Sequence, residues 1–284
     1  MSDTQLVSKS DAMQQTVIHI TPQIQVGGNE LLIIGGPCTV ESLDQMEQTA
    51  RHLSTIPVQL LRGGVYKPRT SPYSFQGLGQ EGITIFKQVR QRYNIPFVTE
   101  VMSIPQLEAI VDAVDVLQIG SRNMQNFELL KAVGQVNKPV ILKRGLSATL
   151  QEFLLAAEYI LSGGNSQVML CERGIRSFDS YTRNVLDLGA VVALKQLTHL
   201  PVIVDPSHAA GKRELIANLA KAAVAAGADG VMIECHPQPE KSVSDARQAL
   251  SLTEMTTLIT ELRSVATAVG RRIVEAKPFN VAAA

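Results

Sequence analysis

Short apolar runs alternate with amphipathic stretches along almost the whole chain. The first run, LLIIGG (31–36), leads into ESLDQMEQTARHL, where Ser42 and Gln45 have the spacing of a Ser-x-x-Gln capping box. QLLRGG (59–64) is followed by a long polar loop and a helical stretch over 82–93. PFVTEV (96–101) precedes a helix over 104–113, and VLQIGS (116–121) precedes one over 126–133. PVILKRG (139–145) leads to a helix opened by a Thr149/Glu152 box, and VMLCERG (168–174) to a helix over 186–198. PVIVDPSH (201–208) leads to a helix over 213–226 stopped by Gly227. GVMIECH (230–236) leads to the last helix, with its box at Ser251 and Glu254.

Near-continuous apolar runs are the pattern of strands covered on both faces by helices. Strands alternating with helices imply a parallel sheet, and eight such units favour closure into a (β/α)8 TIM barrel over an open sheet. No linker or low-complexity segment divides the chain, so residues 1–284 are expected to form one catalytic domain. In it, 1–14 is a flexible arm, 15–30 an N-terminal hairpin and 31–270 the barrel. The hairpin is predicted from TVIHITPQIQVGG, two short β-like runs around Thr21-Pro22, and is expected to lie under the barrel floor.

Composition narrows the function classes. Apolar residues make up 45% of the 284, enough for a large core. Lys plus Arg equal Asp plus Glu at 26 each, so the chain has no bulk attraction for nucleic acid or an anionic membrane. The three cysteines, Cys38, Cys171 and Cys235, form no close pairs, which argues against a disulfide framework and for a reducing compartment. The polar start MSDTQLVSKSDAMQQ lacks the apolar core of a signal peptide, and no apolar run reaches the length of a membrane span. A cytoplasmic protein is expected.

Charge is concentrated at the C-terminal ends of the predicted strands, the face that carries the chemistry of such barrels. The first strand ends at Cys38, the second at Arg62 with Lys67 and Arg69 on its loop, the third at Glu100 and the fourth at Arg122. The fifth ends at Lys143 and Arg144, and the sixth at Glu172 and Arg173. The seventh ends at Asp205 with His208 close behind, and the eighth at Glu234 with Asp245 on its loop. Solvation alone would place charges on helix faces instead. Cys38, His208, Glu234 and Asp245 meet where the eighth strand closes on the first. Thiolate, imidazole and carboxylates suit one borderline divalent ion such as Mn, Fe, Co or Zn. Arg62, Lys67, Arg69, Arg122, Lys143 and Arg173 are six cations with few acids nearby. They are tolerable in one cleft only if strongly anionic ligands bind there, two phosphorylated ligands or one bisphosphate. Isolated His19, His52 and His199 read as surface or packing residues, Cys171 as core, and Cys235 and His236 as without direct roles.

GPCTVES, LRGGVYKPRTSPYSFQGLG, GSRNMQNFELL, PVILKRG, DPSHAAGK and VMIECHP with SVSDARQALS resemble the 3-deoxy-D-arabino-heptulosonate 7-phosphate (DAHP) synthases. These share a branch with the 3-deoxy-D-manno-octulosonate 8-phosphate synthases. The resemblance runs in order from residue 15 to residue 270. It implies a metal-dependent, aldol-like condensation of phosphoenolpyruvate with erythrose 4-phosphate and water, the first step of the shikimate pathway to aromatic amino acids. It implies that Arg62, Lys67, Arg122, Lys143 and Arg173 hold phosphoenolpyruvate, and that Cys38, His208, Glu234 and Asp245 hold the metal. The KPRTS loop is similar to the DAHP synthase form, where the octulosonate enzymes carry a KANRS-type loop. Pro68, Arg69, Thr70 and Ser71 are therefore expected to hold erythrose 4-phosphate.

Lys67 is the candidate proton donor, and Glu100 and Asp205 are candidates to orient water or cations. With Cys38 and His208 they complete the expected catalytic set. Longer members of the family carry a regulatory ferredoxin-like or chorismate mutase domain. The segments outside 31–270 are too short for one, so no aromatic amino acid feedback through such a domain is expected. Family resemblance also suggests a homo-oligomer, tetramer or dimer. The rival readings are an octulosonate synthase using arabinose 5-phosphate, and a non-catalytic barrel that binds metal or phosphate.

Overall fold

The computed structural model describes residues 4–10 and 15–274. Residues 1–3 and 11–14 of the expected arm, and residues 275–284, lie outside the described residues. Residues 4–10 rest on the barrel wall. The backbone N–H groups of Gln5, Leu6 and Val7 all donate to the Glu158 carboxylate, and the side chain of Val7 is buried.

The predicted hairpin is β1 (Ile18–Thr21) paired antiparallel with β2 (Ile24–Val26). Its turn is closed by Thr21, whose hydroxyl accepts from the N–H groups of Gln23 and Ile24. The barrel then follows: β3 (Leu32–Gly36), α1 (Leu43–Leu53), β4 (Leu60–Arg62), α2 (Gln80–Tyr93), β5 (Phe97–Val101) and α3 (Ile104–Ile110). Next come β6 (Val116–Ile119), α4 (Phe127–Gly134), β7 (Val140–Lys143), α5 (Leu150–Ser162), β8 (Val168–Glu172) and α6 (Leu188–Leu197). The last part is β9 (Val202–Val204), α7 (Pro206–Ala210), α8 (Arg213–Ala225), β10 (Gly230–His236), β11 (Leu250–Ser251) and α9 (Leu252–Ala268). Strands β3 to β10 pair parallel in chain order, and β10 pairs with both β9 and β3, which closes the barrel. All eight predicted strand–helix units are present.

Two cores follow from the period-two alternation of a strand. One set of positions faces the helices and builds the large outer core, with Phe86, Phe97 and Phe153 fully buried. The other set faces the barrel axis: Leu32, Ile34, Leu60, Val98, Val116, Ile141, Met169, Cys171, Ile203 and Met232. Ile18 and Val26 of the hairpin pack against this inner set, with Ile20 and Ile24 beside them. The hairpin thus plugs the N-terminal mouth of the barrel, as expected, and leaves the C-terminal mouth open.

The boxes at Thr149/Glu152 and Ser251/Glu254 form in full. The one expected at Ser42/Gln45 forms by half. Ser42 Oγ accepts from the Gln45 N–H, but the Gln45 side chain turns away, accepting from Glu41 N–H and donating to the Thr39 carbonyl. Gln45 is buried, and its amide satisfies the incoming chain instead of the cap. The short α7, which carries His208, has no counterpart in the periodicity of the sequence. It starts because Pro206 occupies its first turn and Asp205 caps it, accepting from His208 N–H at 3.0 Å.

Candidate active site

The inward-facing register, continued by two residues toward the open mouth, changes from apolar to polar. Leu60 is followed by Arg62, Val98 by Glu100, Val116 by Gln118 and Ile141 by Lys143. Cys171 is followed by Arg173, Ile203 by Asp205 and Met232 by Glu234. Parity alone therefore aims seven polar side chains at one space. That space is a cavity of about 510 Å³. Its wall includes Arg62, Lys67, Pro68, Arg69, Thr70, Ser71, Glu100, Arg122, Lys143, Arg173, His208 and Asp245, all of them candidates from the sequence. Asp205, Cys38 and Glu234 are buried directly behind these residues.

Parity also corrects part of the sequence reading. Arg144 and Glu172 belong to the expected rim charges, but each has the opposite register to its neighbour and points away from the cavity. Arg144 Nη1 bonds Glu172 Oε2 at 2.9 Å and Asp187 Oδ2 at 3.0 Å, a buried ion pair beneath the helices. Burial lifts the Glu172 carboxyl above its usual range, with Arg144 working against the shift.

Cys38, His208, Glu234 and Asp245 each offer one ligand atom, and these atoms lie within 4.8 Å of one another. Cys38 Sγ sits 2.9 Å from Lys67 Nζ and 3.1 Å from Asp245 Oδ2. His208 Nε2 is 3.2 Å from Glu234 Oε1, which in turn is 3.0 Å from Arg62 Nη2. Yet Glu234 Oε1 is buried and accepts no hydrogen bond from any described residue. A buried carboxylate oxygen left without a proton to accept, among a sulfur, an imidazole nitrogen and a second carboxylate, fits a divalent ion. Asp245 is held in the left-handed region at φ 56, a conformation Asp tolerates better than most residues.

Burial and neighbouring charges shift the protonation equilibria around the cluster. Burial pushes the Cys38 thiol up to about 12, Glu234 adding to the shift and Lys67 opposing it. Burial moves His208 below the ordinary imidazole value, although Asp205 and Glu234 oppose that. Burial works to raise the Asp205 carboxyl, but His208 and Lys143 outweigh it and hold the group well below the usual carboxylate range. Burial pulls Lys67 down, but Cys38, Glu100 and Glu234 outweigh it and keep the ammonium charged.

The cavity wall holds eight cations: Arg62, Lys67, Arg69, Arg122, Lys143 and Arg173 from the sequence reading, plus Arg176 and Arg183. Its acids are Glu100 and Asp245. Some of the charge is compensated within the protein. Lys143 Nζ pairs with Asp205, Arg62 with Glu234, and Arg183 with Asp245. Arg62 Nε and Nη1, Arg69 Nη2 and Arg173 Nη1 are buried without a hydrogen-bond partner among the described residues. Buried guanidinium N–H groups without acceptors call for an anionic ligand.

Sequence reasoning missed Arg176, Arg183 and Asn184, which line the cavity from the loop between β8 and α6. That loop is folded back by an antiparallel bridge between Ile175 and Val185. Two arginines on a loop after a barrel strand were the available signal. Cys171 is core, as read, and His199 is a packing residue bonded to the Leu6 carbonyl and the Thr16 hydroxyl. His236 pairs with Glu41 at 3.3 Å and is not one of the four clustered donors.

Among known proteins, the profile described as the DAHP synthetase I family matches residues 11–270. The phospho-2-dehydro-3-deoxyheptonate aldolase of Thermotoga maritima is 46% identical over 268 residues, spanning 94% of this chain and 79% of that protein. The 2-dehydro-3-deoxyphosphooctonate aldolase of Syntrophobacter fumaroxidans is 31% identical, over 84% of this chain and 88% of that protein. The crystal structure of the Thermotoga maritima DAHP synthase superimposes with a TM-score of 0.92 at 43% identity, covering 96% of this chain and 80% of the other.

Proposed function

Since the chain belongs to the DAHP synthetase I family, we propose that its cavity joins phosphoenolpyruvate to erythrose 4-phosphate and water, giving DAHP and inorganic phosphate. The observation that carries this reading is the adjacency of two chemistries in one hollow: a four-donor cluster suited to a divalent ion, and eight cations suited to phosphate esters. Each phosphate brings roughly −1.5 to −2 charge, so two of them with one carboxylate match the uncompensated positive wall.

In this reading, Arg62, Lys67, Arg122, Lys143 and Arg173 fix phosphoenolpyruvate. Pro68, Arg69, Thr70 and Ser71 fix the phosphate end of erythrose 4-phosphate. Holding both anions in register places C3 of the enol phosphate against the aldehyde carbon, a positioning effect. A divalent ion of the Mn, Fe, Co or Zn type, held by Cys38, His208, Glu234 and Asp245, would supply Lewis acidity to the aldehyde oxygen. Lys67 keeps its proton in the cavity and can hand it to the oxygen that becomes a hydroxyl. Glu100 stands beside Gln118, whose Nε2 lies 3.5 Å from its Oε2, and is the group to orient the water that adds at C2. Phosphate then leaves with C–O cleavage as C2 becomes the ketone; of the two protons of the added water, one leaves with the phosphate and one restores Lys67. Asp205 acts through His208 and Lys143.

Turnover measured with each acceptor, after chelation and with single-metal add-back, tests this reading. Loss of activity on chelation, recovery with Mn, Co or Zn, and preference for erythrose 4-phosphate are expected. Preference for arabinose 5-phosphate, or turnover untouched by chelation, would overturn it. No helix of the described residues is long and apolar enough to cross a membrane, and all three cysteines are free and buried. These features support a cytoplasmic enzyme, and the family likeness supports a homo-oligomer, tetramer or dimer. Sedimentation of the intact chain checks the assembly.

A further inference from the structure

Each of the four donors has a partner that is not itself one of the four. His208 has Asp205, and Cys38 has Lys67. The two carboxylates share a third device. Gln248 is 2% exposed, and its Nε2 donates to Glu234 Oε2 at 2.5 Å. Its Oε1 accepts from Arg183 Nη1 at 3.1 Å, and the same Nη1 donates to Asp245 Oδ1 at 3.1 Å. Its backbone N–H donates to the Asp245 carbonyl at 3.0 Å, which closes the turn carrying that carboxylate.

The orientation of the amide follows from these contacts. Arg183 has only donors, so the amide atom facing it must be oxygen, and the atom facing Glu234 must be the NH2 group. One oxygen of each carboxylate is thereby tied to the outer network. The other oxygen of each faces the donor cluster: Glu234 Oε1 toward His208, and Asp245 Oδ2 toward Cys38 and His208.

We infer that Gln248 is the positioning residue that locks Glu234 and Asp245 as a pair, each with a single oxygen presented to a divalent ion. This rests on the metal-centre reading above. Arg183 completes the lock from the cavity wall, so the loop that lines the anion cavity and the carboxylates of the donor cluster are held by one hydrogen-bond network. Partners of this kind typically govern metal affinity by about 10–100-fold.

The test is Mn(II) binding to the chelated full-length protein by titration calorimetry, with thermal unfolding of the metal-free form alongside. Gln248→Met keeps the volume and removes both the donor and the acceptor. It is expected to weaken Mn(II) binding by about 10–100-fold, while phosphoenolpyruvate binding to the metal-free protein changes by less than about threefold. Mn(II) affinity within about twofold of the wild type, against that expected loss, would overturn the inference. If Gln248→Met does not fold, Arg183→Met decides. It frees the amide from the half-exposed side and is expected to weaken Mn(II) binding several-fold; unchanged affinity there would overturn the inference equally. Cys38→Ala separates the two levels. If the wild type and Cys38→Ala bind Mn(II) alike, the metal-centre reading has failed. If only Cys38→Ala loses the ion while Gln248→Met keeps it, the positioning role alone has failed.

Discussion

Asp205 Oδ2 lies 2.7 Å from His208 Nδ1, and this contact fixes which imidazole nitrogen carries the proton. Despite its burial, Asp205 is held ionised by His208 and Lys143, so it can only accept. Nδ1 must therefore donate, and Nε2 is left with a lone pair aimed at Glu234 and Asp245. Asp205→Asn removes the charge that selects this tautomer and leaves the Lys143 ammonium buried without its counter-charge. Metal affinity should fall by about 10–100-fold, and urea unfolding should show a loss of about 3–5 kcal/mol. If the Asp205→Asn variant bound Mn(II) like the wild type, the tautomer would not matter.

Metal uptake should release protons. Without a metal the Cys38 thiol sits at about 12, so it is protonated at every working pH, whereas a bound ion requires the thiolate. His208 lies below its ordinary value and is already neutral above pH of about 6.5, so it adds no further proton there. One net proton is then exchanged between about pH 7 and about pH 9, and apparent affinity should rise by up to about tenfold per pH unit in that window. Calorimetry in buffers of different ionisation enthalpy counts the protons. Affinity independent of pH would mean that Cys38 does not ligate as a thiolate.

Most of the barrel and its site were legible because both depend on period and position along a strand. Eight apolar runs, each ending in polar residues, give the closure and the active face together. Register within the strand end was the finer signal. Lys143 and Arg144 are adjacent, yet one lines the cavity and the other pairs with Glu172 under the helices. Counting in steps of two from Ile141 separates them. Elements without a period stayed hidden: the five-residue α7, the folded-back loop bearing Arg176 and Arg183, and the contact of Gln248 with Glu234. The last pair is 14 residues apart and meets only because the loop after β10 turns back over that strand's end.

Gly120 is required by Glu100. A Cβ at this position would stand 1.9 Å from Glu100 Oε1, at the end of a side chain that can move. Gly120→Ala should therefore leave the fold nearly intact, with an unfolding free energy within about 1 kcal/mol of the wild type. It should lower kcat about tenfold or more by turning Glu100 from the water site. A kcat that stays close to the wild type would remove Glu100 from the reaction.

Arg69 distinguishes the two substrates. It lies on the loop between β4 and α2, where Nε donates to the Phe75 carbonyl at 3.0 Å and Nη2 is buried without a partner among the described residues. Arg62, Lys143 and Arg173, by contrast, stand on or directly after rigid strands on the barrel axis. Removing Arg69 thus strips one charged hydrogen-bond donor from the loop end of the cavity and leaves the strand cations in place. Hydrogen bonds to charged groups contribute roughly 1.5–3 kcal/mol, so Arg69→Ala should raise the KM for erythrose 4-phosphate about 10–100-fold. The KM for phosphoenolpyruvate should stay within about twofold. Arg69→Lys should recover only part of the loss, since an ammonium keeps the charge but not the planar fork. Equal effects on both substrates would place Arg69 at a phosphate the two share, and the division of the cavity into a strand half and a loop half would have to be redrawn.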